Sequence, residues 1–103
     1  MRAVRFSLTA RDQLQELLLQ GAARFGAKVA LEKRDLLQQA IELHLARHPR
    51  TKRPHRRLKL VVYPVTDTPF VVLYDYDDAE LRIHFVFRRR ASLRNLDPRS
   101  AEW

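Results

Sequence analysis

The sequence has no cysteine and only two glycines among its 103 residues. Without cysteine the chain forms no disulfide, holds no thiolate zinc site and uses no cysteine nucleophile, as is typical of proteins in a reducing compartment. Long hydrophobic runs are also missing, since no stretch approaches the roughly 18 apolar residues of a membrane span. The start MRAVRFSLTARD lacks the apolar segment of a signal peptide. We therefore expect a cytoplasmic protein.

Acidic residues are scarce relative to basic ones. The chain has 20 Lys and Arg against 12 Asp and Glu, which gives a formal net charge of +8. This excess predicts attraction to an acidic partner, which is a nucleic acid, an anionic membrane or an acidic protein segment. The length suits one core and is too short for two. We expect residues 1–103 to form one domain, with 91–103 as a C-terminal tail.

The first half of the chain predicts one strand followed by two helices. Apolar and polar residues alternate over residues 1–6, as in a short half-buried strand. Thr9 matches a capping-box N-cap, so a helix is expected from about Ala10 to Phe25, with Gly26 as its stop. A second helical pattern covers residues 27–48 before a proline. The short link between them predicts an antiparallel helical hairpin.

Three runs rich in Val, Phe and Tyr follow, at residues 57–65, 69–76 and 81–90, and predict an antiparallel meander. The expected fold is α+β, with one sheet packed on the hairpin. In the last run strict alternation places four apolar residues on one face (Leu81, Ile83, Phe85 and Phe87). The same alternation gives the other face Arg82, His84, Val86 and Arg88. We expect this cation-bearing face to be the functional surface, and to include Tyr63.

Residues 47–59 read RHPRTKRPHRRLK, with seven Lys or Arg and no acid. One interpretation is an electrostatic site for RNA, DNA or an acidic protein. The other is a mobile, solvated connection, since basic runs are common on surfaces that bind nothing in particular. The sequence favours neither.

Three segments of the sequence resemble the RelE/ParE superfamily of toxins from bacterial type II toxin-antitoxin and plasmid-stabilisation systems, and the ParE branch most. They are VRFSLTARDQL, HPR and TPFVVLYDYDDAELRIHFVFRRRASL. The likeness spans nearly the whole chain. Its most telling part is a Tyr-containing strand, an acidic turn and a last strand ending in an Arg cluster (Tyr74 to Asp78 and Ile83 to Arg90). The resemblance implies a toxin neutralised by an antitoxin whose C-terminal segment wraps around it. ParE-like members inhibit DNA gyrase by binding, whereas RelE-like members cleave mRNA in the ribosome.

Metal-free RNA cleavage needs a base, an acid and cations that stabilise the phosphorane. RelE-like nucleases often place a Tyr or His at or just after the end of the last strand, and RRRASLRNL has neither. The nearest substitutes are His84 and Tyr63, with Arg82 for the phosphate. We therefore expect a gyrase inhibitor with no catalytic residues, with a ribosome-dependent mRNA endonuclease as the alternative. A plain nucleic-acid-binding module is a third possibility, and it predicts salt-sensitive binding to free DNA or RNA.

For binding the antitoxin or the target, the candidate residues are five cations (Arg57, Lys59, Arg82, Arg88 and Arg90). An acidic, amphipathic antitoxin segment would lay its apolar groups on the sheet and pair its acids with these cations. One of the three consecutive arginines is a candidate to neutralise an acid of the tail (Asp97 or Glu102). Trp103 is either a binding anchor or a side chain folded back over the core.

No cofactor or metal is expected. His44 and His48 lie one helical turn apart but lack a third ligand at matching spacing. The acids at residues 75–80 lie in a tight hairpin, where acidic residues usually have a structural role.

Overall fold

A strand, two helices and three further strands follow one another along the chain, as the sequence predicts. The computed structural model describes all 103 residues. The elements are β1 (Ala3–Phe6), α1 (Leu8–Phe25), α2 (Ala27–Gln39), a π-helical turn (Ala40–Leu45), a 3-10 turn (Pro49–Thr51), β2 (Val61–Pro64), β3 (Phe70–Tyr76) and β4 (Glu80–Arg88). No helix combines the length and the hydropathy needed to cross a membrane.

The start of α1 differs from the expected cap. Ser7, not Thr9, is the N-cap, because its buried hydroxyl accepts a hydrogen bond from the Ala10 backbone N–H at 2.8 Å. The same hydroxyl donates to the backbone oxygen of His84 at 2.6 Å, so the cap also joins β4. Thr9 instead accepts from the Glu102 N–H in the tail. Gly26, at φ 93°, ends α1 and begins α2, which is a backbone conformation that favours glycine.

The sheet is mixed rather than purely antiparallel. Its order is β1-β4-β3-β2, with β1 parallel to β4 and the other pairs antiparallel. The predicted meander is confirmed, and the parallel pairing of β1 makes β4 a central strand. The helices cover one face, where a core of 13 buried residues includes Leu37, Ile41, Tyr74, Leu81 and Ile83. We call the opposite side of the sheet the far face.

The second strand is shorter than predicted. It begins at Val61 rather than Arg57, because residues 56–58 form a turn and Lys59 has a positive φ of 60°. A residue in that conformation breaks the extended backbone of a strand. The basic segment, residues 47–59, therefore ends in a turn.

One extra residue in β4 reverses the predicted alternation. Leu73 pairs with Phe85 and Tyr74 pairs with Ile83, so His84 has no partner and forms a β-bulge. The prediction that four apolar residues share one face is wrong. Two pack on the helix side (Leu81 and Ile83) and two on the far face (Phe85 and Phe87). The bulge thus gives each face of the sheet its own apolar cluster.

The far face is therefore only partly open. A second core of five buried residues forms on it (Leu58, Leu60, Val71, Leu73 and Phe85). The tail packs over this core through Leu93, Leu96 and Ala101. This core and the tail cover the apolar half of the face that was expected to be the functional surface, and the remaining half is polar.

Candidate functional site

The polar half of the far face is organised around Arg82. Its Nε donates to Asp75 Oδ1 at 2.8 Å, and a terminal nitrogen donates to Asp77 Oδ2 at 2.8 Å and to Glu80 Oε1 at 3.1 Å. One guanidinium with five donors can satisfy several carboxylates at once. Arg82, proposed as a cation for a ligand, thus already has three acidic partners within the chain.

These contacts shift the ionisation of the acids. Burial by itself raises the pKa of Asp75, but hydrogen bonds from His84 and Arg82 outweigh burial and hold the pKa below its ordinary value. The hydrogen bond from Arg82, with the N–H groups of Glu80 and Ala79, lowers the pKa of Asp77 to about 2. The pKa of Arg82 is correspondingly raised by these partners. The cluster is therefore ionised at neutral pH.

His84, the bulge residue, is enclosed. Its Nε2 lies 2.9 Å from Asp75 Oδ1, and because the ionised carboxylate only accepts, Nε2 carries the proton. Its Nδ1 is buried without a hydrogen-bond partner. The Trp103 ring lies edge-on to the imidazole at 4.8 Å, and the Arg5 guanidinium stacks over the indole at 4.9 Å. Two predictions were made for Trp103. Its contacts with His84 and Arg5 agree with the one in which the side chain folds back onto the domain.

The pair named for RNA cleavage is not assembled. Tyr63 packs on the helix side, with its ring 6.0 Å from that of His44, whereas His84 lies on the far face. The expectation that Tyr63 shares a face with His84 is wrong, because Val62 packs on the far-face core and the next residue, Tyr63, therefore points to the helix side. No substrate atom can touch both side chains across the sheet.

The five candidate cations lie in different places. Arg57 donates to the backbone oxygens of Leu93 and Leu96 and so holds the tail. Arg88 lies on the helix side, where it donates to Gln20 of α1 at 2.7 Å. The expectation that the cations gather on one sheet face is wrong, because turns and the bulge redirect them. Lys59 and Arg90 are exposed and make no side-chain hydrogen bond or ion pair.

Arg89 has a role that the sequence did not indicate. Its guanidinium donates to the backbone oxygens of Thr68 and Val65, both at 2.8 Å, and so fixes the turn between β2 and β3. None of the three consecutive arginines pairs with Asp97, whose cationic partner is Arg99. The expected neutralisation of a tail acid by one of them is wrong, because these side chains point to α1, to the turn and to solvent.

The basic segment is tied to the domain at several points. The buried Tyr74 hydroxyl donates to the Pro49 oxygen at 2.7 Å. The His55 N–H donates to the Leu60 oxygen at 2.7 Å, and Leu58 and Leu60 are buried in the far-face core. These hydrogen bonds and buried leucines anchor both ends of residues 47–59 to the domain.

The helical hairpin exposes more apolar surface than its amphipathic pattern predicts. Only Ala10 of α1 is fully buried, while Leu19 is 60% and Phe25 64% exposed. Two grooves result. One, of about 410 Å³, runs between the helices and is lined by Leu14, Leu18, Leu19, Ala22, Ala30 and Leu31. The other, of about 310 Å³, lies beside Phe25, Val29 and Phe70 with Lys33 at its rim. In the sequence, the only indication of this exposed apolar surface is that α1 carries leucines on more than one side.

The comparisons with known proteins agree with this geometry. A family model described as "ParE toxin of type II toxin-antitoxin system, parDE" matches residues 4–92. Among solved structures, a chain of the "Chromosomal ParDE TA system from P. aeruginosa" is similar, with a TM-score of 0.71 and 18% identity. That alignment covers 85% of this chain and 96% of the other. At this identity the likeness shows a shared fold. No curated protein matches the sequence. The family match ends before the tail residues that cover the far face.

Proposed function

The chain belongs to the ParE toxin family of type II toxin-antitoxin systems, and from that membership we propose that it inhibits DNA gyrase by binding and is neutralised by a cognate antitoxin. The family match over residues 4–92 is the observation that carries the proposal. Residues 1–103 act as one toxin domain in the cytoplasm, where gyrase works. The chain acts without a cofactor.

The exposed hairpin supports the antitoxin partner. An apolar patch of this kind, rimmed by polar groups, is typical of a protein interaction site. Arg24 and Arg88 line a further cavity of about 170 Å³ at the end of α1. We place the apolar groups of an amphipathic antitoxin segment on the hairpin, and its acids at Arg88 and the neighbouring cations.

The five proposed binding cations contribute unequally in this scheme. Lys59, Arg88 and Arg90 are the members available to a partner. Arg57 and Arg82 act mainly within the chain, since one holds the tail and the other holds three acids. Replacing either of the last two is expected to reduce binding through the fold rather than through a lost contact.

The alternative, an mRNA endonuclease of RelE type, has less support. His84 is enclosed under Trp103, and Tyr63 lies across the sheet from it. General acid-base catalysis requires both groups within hydrogen-bond reach of the same substrate.

The test is to prepare the toxin free of antitoxin and to measure gyrase supercoiling and ribosomal mRNA cleavage in parallel. We expect supercoiling to be blocked and transcripts to stay intact. Cleaved transcripts with normal supercoiling would overturn the proposal in favour of the endonuclease. Restoration of supercoiling by the protein from an adjacent acidic reading frame would identify the antitoxin, and the absence of such a frame would count against a toxin.

A further inference from the structure

Most of the net positive charge of this protein arises in one segment. Seven of its 20 Lys and Arg fall within residues 47–59, which contain no acid. The remaining residues carry 13 Lys and Arg against 12 Asp and Glu, so the rest of the chain is nearly neutral. The basic segment therefore accounts for seven of the eight net positive charges.

The charges of this segment are free for a ligand. None of its seven Lys and Arg forms an ion pair, and Arg57 alone uses its side chain for hydrogen bonds within the chain. The other six are exposed (Arg47, Arg50, Lys52, Arg53, Arg56 and Lys59). Fields from closely spaced like charges add, so such a surface attracts a polyanion more strongly than a single cation would.

Both ends of the segment are anchored to the domain. Pro49 is fixed by Tyr74, and Leu58 is buried on the far face with 1% exposure. The turn between them is closed by the Lys59 N–H, which donates to the His55 oxygen at 2.8 Å. Arg57 adds a link to the tail and brings Arg94, a further exposed cation, to the same part of the surface. A fixed array loses less conformational entropy on binding than a mobile loop does.

We propose that residues 47–59 bind the phosphate backbone of duplex DNA without regard to sequence. Five of the seven cations are arginines, whose planar guanidinium matches phosphate oxygens. Protein interfaces are centred on apolar or aromatic anchors, and Pro54 is the only exposed apolar side chain of residues 47–59, since Pro49 and Leu58 are buried. This argues for a nucleic acid over an acidic protein. The segment contains no Phe, Tyr or Trp to stack on bases, which argues for a duplex over a single strand.

The proposal is tested with the full chain and a fluorescent 20-bp duplex of arbitrary sequence, by anisotropy over a series of salt concentrations. The logarithm of the binding constant should fall linearly with the logarithm of salt concentration, by about 0.9 per phosphate contact. The variant K52Q/R53Q/R56Q should flatten this slope by about 2.7. These side chains make no internal contact, so the melting temperature should not change, and the variant R53K/R56K should keep the original slope.

The matched control is R11Q/R24Q/K28Q, which removes the same charge from the hairpin and should leave the slope unchanged. An equal loss of slope in both triple variants would overturn the proposal, because net charge alone would then explain binding. Tighter binding of the single strand, or equal competition by polyglutamate of the same charge, would overturn it in favour of another polyanion. Gyrase is absent from this assay, so its result is independent of whether the protein inhibits gyrase.

Discussion

Arg82 is the single residue on which most polar contacts of the far face depend. Its side chain is 22% exposed and pairs with three acids. The variant R82Q would leave these acids close together without a cation, and hydrogen bonds to charged groups contribute about 1.5–3 kcal/mol each when partly buried. We expect a loss of about 2 kcal/mol in the free energy of unfolding at pH 7, measured by urea denaturation.

The control for this measurement is R34Q. Arg34 pairs only with its neighbour Asp35, and both side chains are about half exposed. An exposed pair contributes about 0–1 kcal/mol, so this variant should be nearly as stable as the parent. Equal losses from the two variants would contradict the central role given to Arg82.

The lowered pKa values of Asp75 and Asp77 predict how stability depends on pH. A carboxyl whose pKa is lower in the folded state stabilises the fold above the unfolded pKa of about 3.8, and this contribution is lost as the pH falls toward the folded value. The parent should therefore lose stability between about pH 5 and pH 2. The double variant D75N/D77N should show a shallower decline over that window in urea titrations, whereas D35N should decline as steeply as the parent.

Tyr74 links the core to the basic segment through one hydrogen bond. Its buried hydroxyl donates to the Pro49 oxygen, and burial raises its pKa well above the ordinary 10.0. The variant Y74F leaves that oxygen without a donor, so we expect a loss of about 1–2 kcal/mol in unfolding free energy.

The raised pKa of Tyr74 predicts how stability depends on alkali. The neutral form of the Tyr74 hydroxyl stabilises the fold below pH 10, and this contribution is lost above it. Y74F should thus be less sensitive to alkali than the parent, as followed by circular dichroism.

At the scale of elements, the sequence predicted the strand and helix order but not the faces of β4. Periodicity identified α1, α2 and the meander because their apolar residues recur at regular spacing. The alternation failed at His84, since a bulge adds one residue that no local pattern marks. When His84 is left out of the count, the remaining residues of β4 alternate regularly between the faces. The bulge is contacted by Ser7, whose hydroxyl donates to the His84 oxygen from 77 residues away in sequence.

The tail is held to the domain at its middle by Arg57 and at its end by Glu102 and Trp103. Arg57 donates to two tail carbonyls, and Leu96 packs on the far-face core. We expect R57Q to loosen the tail and to increase trypsin cleavage after Arg94 and Arg99 by about tenfold, the factor that corresponds to a hydrogen bond of about 1.4 kcal/mol. Mass spectrometry identifies the cleavage products. The variant R56Q removes a neighbouring trypsin site and no internal contact, so unchanged cleavage of the tail in R57Q relative to R56Q would contradict this role.

At the scale of the whole molecule, the exposed surface divides by chemistry into an apolar hairpin and a basic segment. The sequence located the charge, because seven cations in 13 residues are visible without a structure. It did not locate the apolar surface, since leucines on an amphipathic helix are usually core residues. The short sheet covers only part of α1, which leaves Leu19 and Phe25 outside. How much of a helix a sheet covers is a property of the assembled fold.

The hairpin surface leads to the last prediction, which concerns antitoxin binding. Leu19 and Leu31 are 60% and 48% exposed, so L19E/L31E should fold with a stability close to that of the parent. A partner that binds only the folded toxin raises unfolding free energy by about 2.7 kcal/mol at 100 times its Kd. We expect antitoxin to stabilise the parent in this way and to leave L19E/L31E unaffected, as measured by thermal unfolding with and without antitoxin. The matched control is K28Q/Q39E, which lowers the net charge by the same two units at exposed polar positions of α2 outside both grooves and should keep the response. If L19E/L31E were stabilised as much as the parent, the antitoxin would have to bind outside the groove between the helices.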